Sequence, residues 1–317
     1  MKSFFLTLSI VLIATTTLAA CANKEIPNAT LNTQTSIYCS SDGSFTAIKP
    51  IQSHRSYCLQ SDAKGKVYTA NQASSYTFAI RDDQGTVVKD FAITHTKPMH
   101  VIVVRKDLNY FQHLHPEFNQ STGTFTLSNL AFPTEGQYRI FADFAVTGGQ
   151  MDPMNMPLGI TSFEDVQVGN NYHPQAIGAE EKVKTFEGYQ VSLDTGTPLQ
   201  SSKEAKLAFD LKQNGKSVTD LQEYLGALGH TVILREGTLD FIHAHPVESI
   251  NQQQSGKVNF MVHFPEAGKY KIFTQFQRAG KVVTTDFVVS VAQGEEDSGM
   301  IDMGTKMPGM NHSMMRY

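Results

Sequence analysis

The feature that most constrains this chain is a pattern that occurs twice, 130 residues apart. His100, Arg105, His113, His115 and Pro116 recur as His230, Arg235, His243, His245 and Pro246. Around these anchors Asp90 recurs as Asp220, and Phe132-Pro133 with Gly136, Tyr138 and Phe141 recurs as Phe264-Pro265 with Gly268, Tyr270 and Phe273. A repeat of about a hundred residues is the size of a whole domain, larger than the units that stack into solenoids. The chain is therefore expected to hold two similar domains and to be long enough to bury two cores.

Each copy is built of short apolar runs separated by turn signals. The first has Tyr76–Ile80, Thr86–Val88, Val101–Val104, Thr124–Leu127 and Tyr138–Phe144; the second has Lys206–Leu211, Val258–Val262, Tyr270–Phe273 and Thr285–Val291. This spacing predicts antiparallel β-sandwiches, and the absence of a long apolar stripe of period 3.6 predicts little helix. The expected class is all-β, two tandem immunoglobulin-like antiparallel sandwiches. The division is a signal at 1–20, a polar tether at 21–70, domain 1 at 71–168, a linker at 169–186, domain 2 at 187–292 and a Met/His-rich tail at 293–317.

The histidines have a geometry before they have a chemistry. His230–Arg235 reads as a strand, Glu236-Gly237 as a two-residue turn and Thr238–His245 as the returning strand. That register sets Arg235 against Thr238 and His230 against His243, and residues two apart along a strand share a face. His230, His243 and His245 then converge, as do His100, His113 and His115. The same face carries Val232, Leu234 and Phe241, and in the first copy Ile102, Val104 and Phe111. Arg105 and Arg235, at odd steps from their histidines, are expected on the opposite face. Imidazoles on an apolar face need a hydrogen-bond partner or a metal, since a buried polar nitrogen left unsatisfied costs about 1–3 kcal/mol. Neutral imidazole is the commonest metal ligand, and three on one patch leave an open coordination position. A buried hydrogen-bonded motif that the fold itself needs is the competing reading.

The ends of the chain add two further signals. Nine of the twelve methionines lie in two polar stretches: Met151, Met154 and Met156, and the tail containing Met300, Met303, Met307, Met310, His312, Met314 and Met315. Thioethers spaced in this way without other apolar residues do not form a packing pattern, and they are soft ligands that select Cu(I). Copper, or a related soft metal such as silver, is the expected ion. At the other end Lys2, an apolar run and Leu18-Ala19-Ala20-Cys21 read as an export signal. The last four residues resemble the lipobox of bacterial lipoproteins, which implies that Cys21 becomes the lipidated first residue of the mature chain and anchors it to a membrane. Ala22 after that cysteine implies, by analogy with lipoprotein sorting, the outer membrane before the inner one. Cys39 and Cys58 are an even pair in an exported chain and read first as a disulfide, with a Cys/His metal site including His54 as the alternative.

The formal charge of −4 and the lack of a Lys/Arg cluster exclude a strongly basic nucleic-acid surface. The run Lys97-Pro98-Met99-His100, Arg105, Asp107-Leu108, Phe111, His113-x-His115-Pro116 and Gly136-x-Tyr138-Arg139-x-Phe141-Ala142-Asp143-Phe144 resembles exported bacterial proteins described as YtkA-like or heavy-metal-associated. The resemblance covers about 75–168, and 205–292 with gaps; in the second copy Ala227-Leu228-Gly229 replaces Lys97-Pro98-Met99 and Gln275 aligns with Asp143. It implies an immunoglobulin-like sandwich in the cell envelope, with links to metal handling and no enzyme activity. A His-x-His copper site on a sandwich also resembles copper/zinc superoxide dismutase in architecture, but that family's further histidines and metal-linking aspartate are missing here. The functional expectation is a lipid-anchored, non-enzymatic copper-binding envelope protein, with a metal transporter or metal-receiving envelope protein as partner. The alternative is a structural or adhesive sandwich lipoprotein.

Overall fold

The computed structural model describes residues 37–39, 45–47, 57–151, 157–247 and 256–294, apart from the side chains of 37–39, 45–47, His243, His245 and Pro246. Cys21, the tail from Met300 to Met315, Met154, Met156 and the pairing of Cys39 with Cys58 therefore lie outside what is described. The described residues form strands and no helix. A small pair, β1 (Ile37–Cys39) and β2 (Phe45–Ala47), comes first. The first domain then runs β3 (Tyr57–Ser61), β4 (Val67–Tyr68), β5 (Ser74–Asp82), β6 (Phe91–Ala92), β7 (His100–Arg105), β8 (Phe111–Leu114), β9 (Glu117–Asn119), β10 (Thr124–Leu130), β11 (Gly136–Val146) and β12 (Ile160–Val168). The second has β13 (Val183–Phe186), β14 (Tyr189–Asp194), β15 (Glu204–Gln213), β16 (Lys216–Ser217), β17 (His230–Arg235), β18 (Phe241–Pro246), β19 (Lys257–His263), β20 (Gly268–Arg278) and β21 (Lys281–Val291).

Domain 1 is a sandwich of the sheet β3-β5-β10-β9 against β4-β12-β11-β7-β8. In domain 2 the corresponding layers, β14-β15-β19 and β18-β17-β20-β21, are joined into one sheet because His245 and Pro246 of β18 pair with Met261 and Phe260 of β19. Both copies carry the tyrosine corner of immunoglobulin-like sandwiches. The Tyr138 hydroxyl donates to Thr134 O at 2.8 Å, and Tyr270 to Glu266 O at 2.7 Å. Two boundaries differ from the sequence expectation. Tyr57–Ser61, assigned there to the tether, pairs with β5, and Val183–Phe186, assigned to the linker, pairs with β14.

Strand alternation decides what each face buries. Val101 and Val103 of β7 and Tyr138, Ile140 and Ala142 of β11 face the core of domain 1, and Ile233, Tyr270 and Ile272 face that of domain 2. The other faces of the same strands form a third apolar layer from Ile102, Val104, Phe141, Val232, Leu234, Phe241, Phe273 and Val288. The two histidine-bearing sheets are thus packed outer face to outer face. The contacts across this layer obey a pseudo-two-fold rule. Phe111 stacks on Phe273 with centroids 4.4 Å apart, and their repeat equivalents, Phe241 and Phe141, meet at 5.2 Å.

The segment joining the domains is held at this seam. Arg105 donates to His173 O at 3.3 Å, Asp107 accepts from Gln175 N at 2.9 Å, and Ile177 is buried in the shared layer. At the rim Arg139 donates to Thr238 O across the seam at 3.4 Å, and buried Lys271 pairs with Asp286 at 2.9 Å while donating to Ile177 O.

Candidate metal centre between the domains

The hairpins that carry the histidines are paired two residues out of the register that a two-residue turn predicts. Leu234 pairs with Phe241 and Val232 with His243, as Val104 pairs with Phe111 and Ile102 with His113. Arg235 N–H donates to Asp240 O at 3.2 Å, so the loop is Glu236–Leu239, four residues rather than two. Its last residue, Leu239, has φ 60°, and in the first copy the third residue of the loop, Leu108, has φ 61°. His230 is therefore level with His245, not with His243. The shift is two residues, which keeps the histidines on one face. Arg105 and Arg235 lie on the other face, each seated over the glycine that opens the neighbouring strand, Gly136 and Gly268.

In domain 1 the three histidines meet. His100 Nδ1 is 3.1 Å from His113 Nε2 and 3.2 Å from His115 Nε2. His230 of domain 2 joins this group. Its ring stacks on His100 with centroids 5.7 Å apart and on His113 at 4.8 Å. Ligand-capable atoms of His100, His113 and His230 all lie within 4.8 Å of one another. His100 and His230, equivalent by the repeat, sit on opposite sides of the pseudo-two-fold axis, so the duplication itself concentrates imidazoles there. His243 and His245 occupy backbone positions equivalent to His113 and His115; their side chains are outside the described residues.

Two residues that sequence reading did not select complete the surroundings. His95, in a turn closed by Thr94 and Lys97, sets its ring edge-on to His100 at 5.8 Å and to His230 at 5.2 Å. Its φ is 48°, and that of Thr96 beside it is 67°, a conformation uncommon for a β-branched residue. Gln275 of β20 accepts from His113 Nδ1 through Oε1 at 2.8 Å, across the seam from domain 2. The alignment of Gln275 with Asp143 was visible in the sequence, but nothing there placed it against the other copy's hairpin.

The acceptors around the rings fix where their protons are. Thr94 O, 3.0 Å from His100 Nε2, can only accept, so that nitrogen carries hydrogen and neutral His100 presents an unprotonated Nδ1. Gln275 donates its amide to Thr284 Oγ1 at 3.1 Å, which leaves its carbonyl oxygen for His113 Nδ1–H. Neutral His113 then presents an unprotonated Nε2. With both rings neutral, these two lone pairs face each other across 3.1 Å. Burial, the first cause, and the neighbouring His100 and His115 push His113 down to about 3, so the neutral form is the stable one. Burial, then His100 and Lys97, push His115 down to about 4. The arrangement can accept a cation at the point where the lone pairs meet.

The comparisons with known proteins say little about chemistry. No curated protein matches the chain. Among solved structures it is similar to a DUF4426 family protein from Pseudomonas aeruginosa PAO1, at 12% identity and TM-score 0.29, over 36% of this chain and 100% of that one. It is also similar to fibronectin(III)-like modules of Clostridium thermocellum CbhA, at 12% identity and TM-score 0.20, over 74% of this chain and 94% of that one. Neither likeness is close enough to carry function. One family model matches in two segments, residues 57–157 and 184–293, which together are more than half of the chain and coincide with the two sandwiches, so the protein belongs to the family of the domain of unknown function DUF8832.

Proposed function

We propose that this protein binds a transition-metal ion at the seam between its two sandwiches, through His100, His113, His115 and His230. The observation that carries the reading is the approach of His100 Nδ1 to His113 Nε2 at 3.1 Å, with their other nitrogens committed to Thr94 O and Gln275 Oε1. With both rings neutral these nitrogens present lone pairs to each other, which repel unless a proton or a metal ion lies between them. A tetrahedral ion with metal–nitrogen bonds of about 2.0–2.1 Å holds its ligands about 3.3 Å apart, close to the 3.1 and 3.2 Å from His100 Nδ1 to the Nε2 atoms of His113 and His115. Donation of the second ring nitrogen to an oxygen acceptor is also what metal-ligating histidines do.

Copper is the first candidate. Among divalent ions Cu(II) binds nitrogen sites most tightly, and the methionines of the tail, Met300 to Met315, suit Cu(I). With Cys21 as lipid anchor the protein serves copper handling or resistance in the bacterial envelope, in keeping with the resemblance to YtkA-like, heavy-metal-associated proteins. It passes the ion to or from a transporter or another envelope protein and catalyses nothing. The test is metal content after incubation with Cu(II) or Zn(II) and dialysis, for the wild type and for His100→Ala with His113→Ala. About one copper per chain is expected for the wild type and a loss of that copper in the variant. A wild type that retains no metal above a metal-free control overturns the reading and leaves the histidines structural.

A further inference from the structure

We infer that Gln275 is a positioning residue for metal binding, and that through it domain 2 sets the tautomer of a ligand that belongs to domain 1. This rests on the metal reading above and deepens it. His113 is on β8 of the first sandwich, whereas Gln275 is on β20 of the second, directly across the ladder from His230. Gln275 is 6% exposed, so its carboxamide is removed from solvent and its orientation is decided by protein partners. Thr284, its cross-strand neighbour on β21, takes the amide hydrogen at 3.1 Å, and the carbonyl oxygen is what remains for His113 Nδ1 at 2.8 Å.

The consequence is a chain of dependence, Thr284 to Gln275 to His113 to the ion. An imidazole with hydrogen on Nδ1 has its lone pair on Nε2, the atom 3.1 Å from His100 Nδ1. With the other tautomer His113 would present an N–H to His100 and could not ligate. Among the described residues the group against His113 Nδ1 is Gln275 Oε1, so the ligating form of the first hairpin is set by the docked second domain. At the position equivalent to Gln275 the first domain carries Asp143, which sits across the ladder from His100 as Gln275 does from His230. This ladder position thus holds an amide in one domain and a carboxylate in the other.

The experiment compares wild type, Gln275→Leu, Gln275→Glu and Thr284→Val in the full chain. The readouts are Cu(II) affinity by competition and the tautomer of His113 by nitrogen NMR of the metal-free protein. Loss of an outer-shell acceptor of this kind typically costs 10–100-fold in metal affinity. Gln275→Leu is expected to lose that much and to move His113 hydrogen from Nδ1 to Nε2. Gln275→Glu is expected to keep the Nδ1–H form and to bind at least as tightly as the wild type, because a carboxylate is the stronger acceptor. Thr284→Val, which keeps Gln275 but removes the partner that orients it, is expected to fall between. The inference is overturned if Gln275→Leu keeps the Nδ1–H form and wild-type affinity. Should Gln275→Leu fail to fold, Thr284→Val with unchanged tautomer and affinity overturns it equally. If the wild type binds no metal, the proposed function fails, while the tautomer measurement on the metal-free protein still decides the role of Gln275.

Discussion

His113 and His115 are held as bases in a place that disfavours their charged forms, and this makes the metal-free protein sensitive to acid. In the unfolded chain a histidine takes up its proton near 6.5, whereas in the fold His113 and His115 do so only at about 3 and about 4. Between these values the unfolded state binds more protons than the native state, so stability is present above about 6.5 and is lost as pH falls toward 4. Urea unfolding of the metal-free protein should show a lower midpoint at pH 5 than at pH 7.5, with a smaller difference in His113→Phe; equal midpoints for the wild type would mean that the rings are protonated or solvated already. At the same scale Gly136 has φ +144°, and a Cβ there would come within 2.8 Å of Tyr172 Cδ2 and 2.9 Å of Arg105 Nε. Gly136→Ala is expected to destabilise domain 1 by about 1–3 kcal/mol, the usual cost of a side chain held in a sparsely allowed conformation. The measurement is denaturant unfolding, and a loss below about 0.5 kcal/mol would show that Arg105 and Tyr172 move aside freely.

The strands themselves were legible because alternation and turn residues leave a mark on a single sequence. The parity of the histidine hairpins, the scarcity of helix and the opposed faces of arginine and histidine all follow from period two. The loop was not legible, since Leu108 and Leu239 take left-handed conformations that a leucine gives no reason to expect, while Glu236-Gly237 looked like a complete turn. The covered outer face did leave a sign. β7 is buried at all six positions, and His100-Val-Ile-Val-Val has no polar alternate, as a strand covered on both sides requires. What no single sequence carries is the identity of the cover, which is why Gln275 read as a departure from the repeat instead of a partner of His113. The apolar layer makes its own prediction. Phe273→Ala removes the ring stacked on Phe111 and is expected to cost about 3–5 kcal/mol, the range for a buried Phe truncated to Ala. Part of that cost should vanish in a Phe111→Ala background, because the two residues share one contact. Additive losses in the double-mutant cycle would contradict the stacking.

As a whole molecule the protein has the organisation of a dimer written into one chain. Corresponding faces are apposed, equivalent residues trade partners across an axis, and the most concentrated set of imidazoles lies beside that axis, as in an isologous interface. The two halves have nonetheless diverged where they meet, with Gln275 opposite Asp143's place and Leu225 where the first copy has His95. The joining segment gives this organisation a property that two separate chains would lack. Because His173 and Gln175 are fastened to Arg105 and Asp107, and Ile177 is sunk into the seam, the partner face is never released far into solution. Docking is an intramolecular event with a fixed effective concentration, so dilution leaves the seam closed. An ion held there would face the same set of ligands whether the protein is scarce or abundant, and its retention would vary with free metal alone.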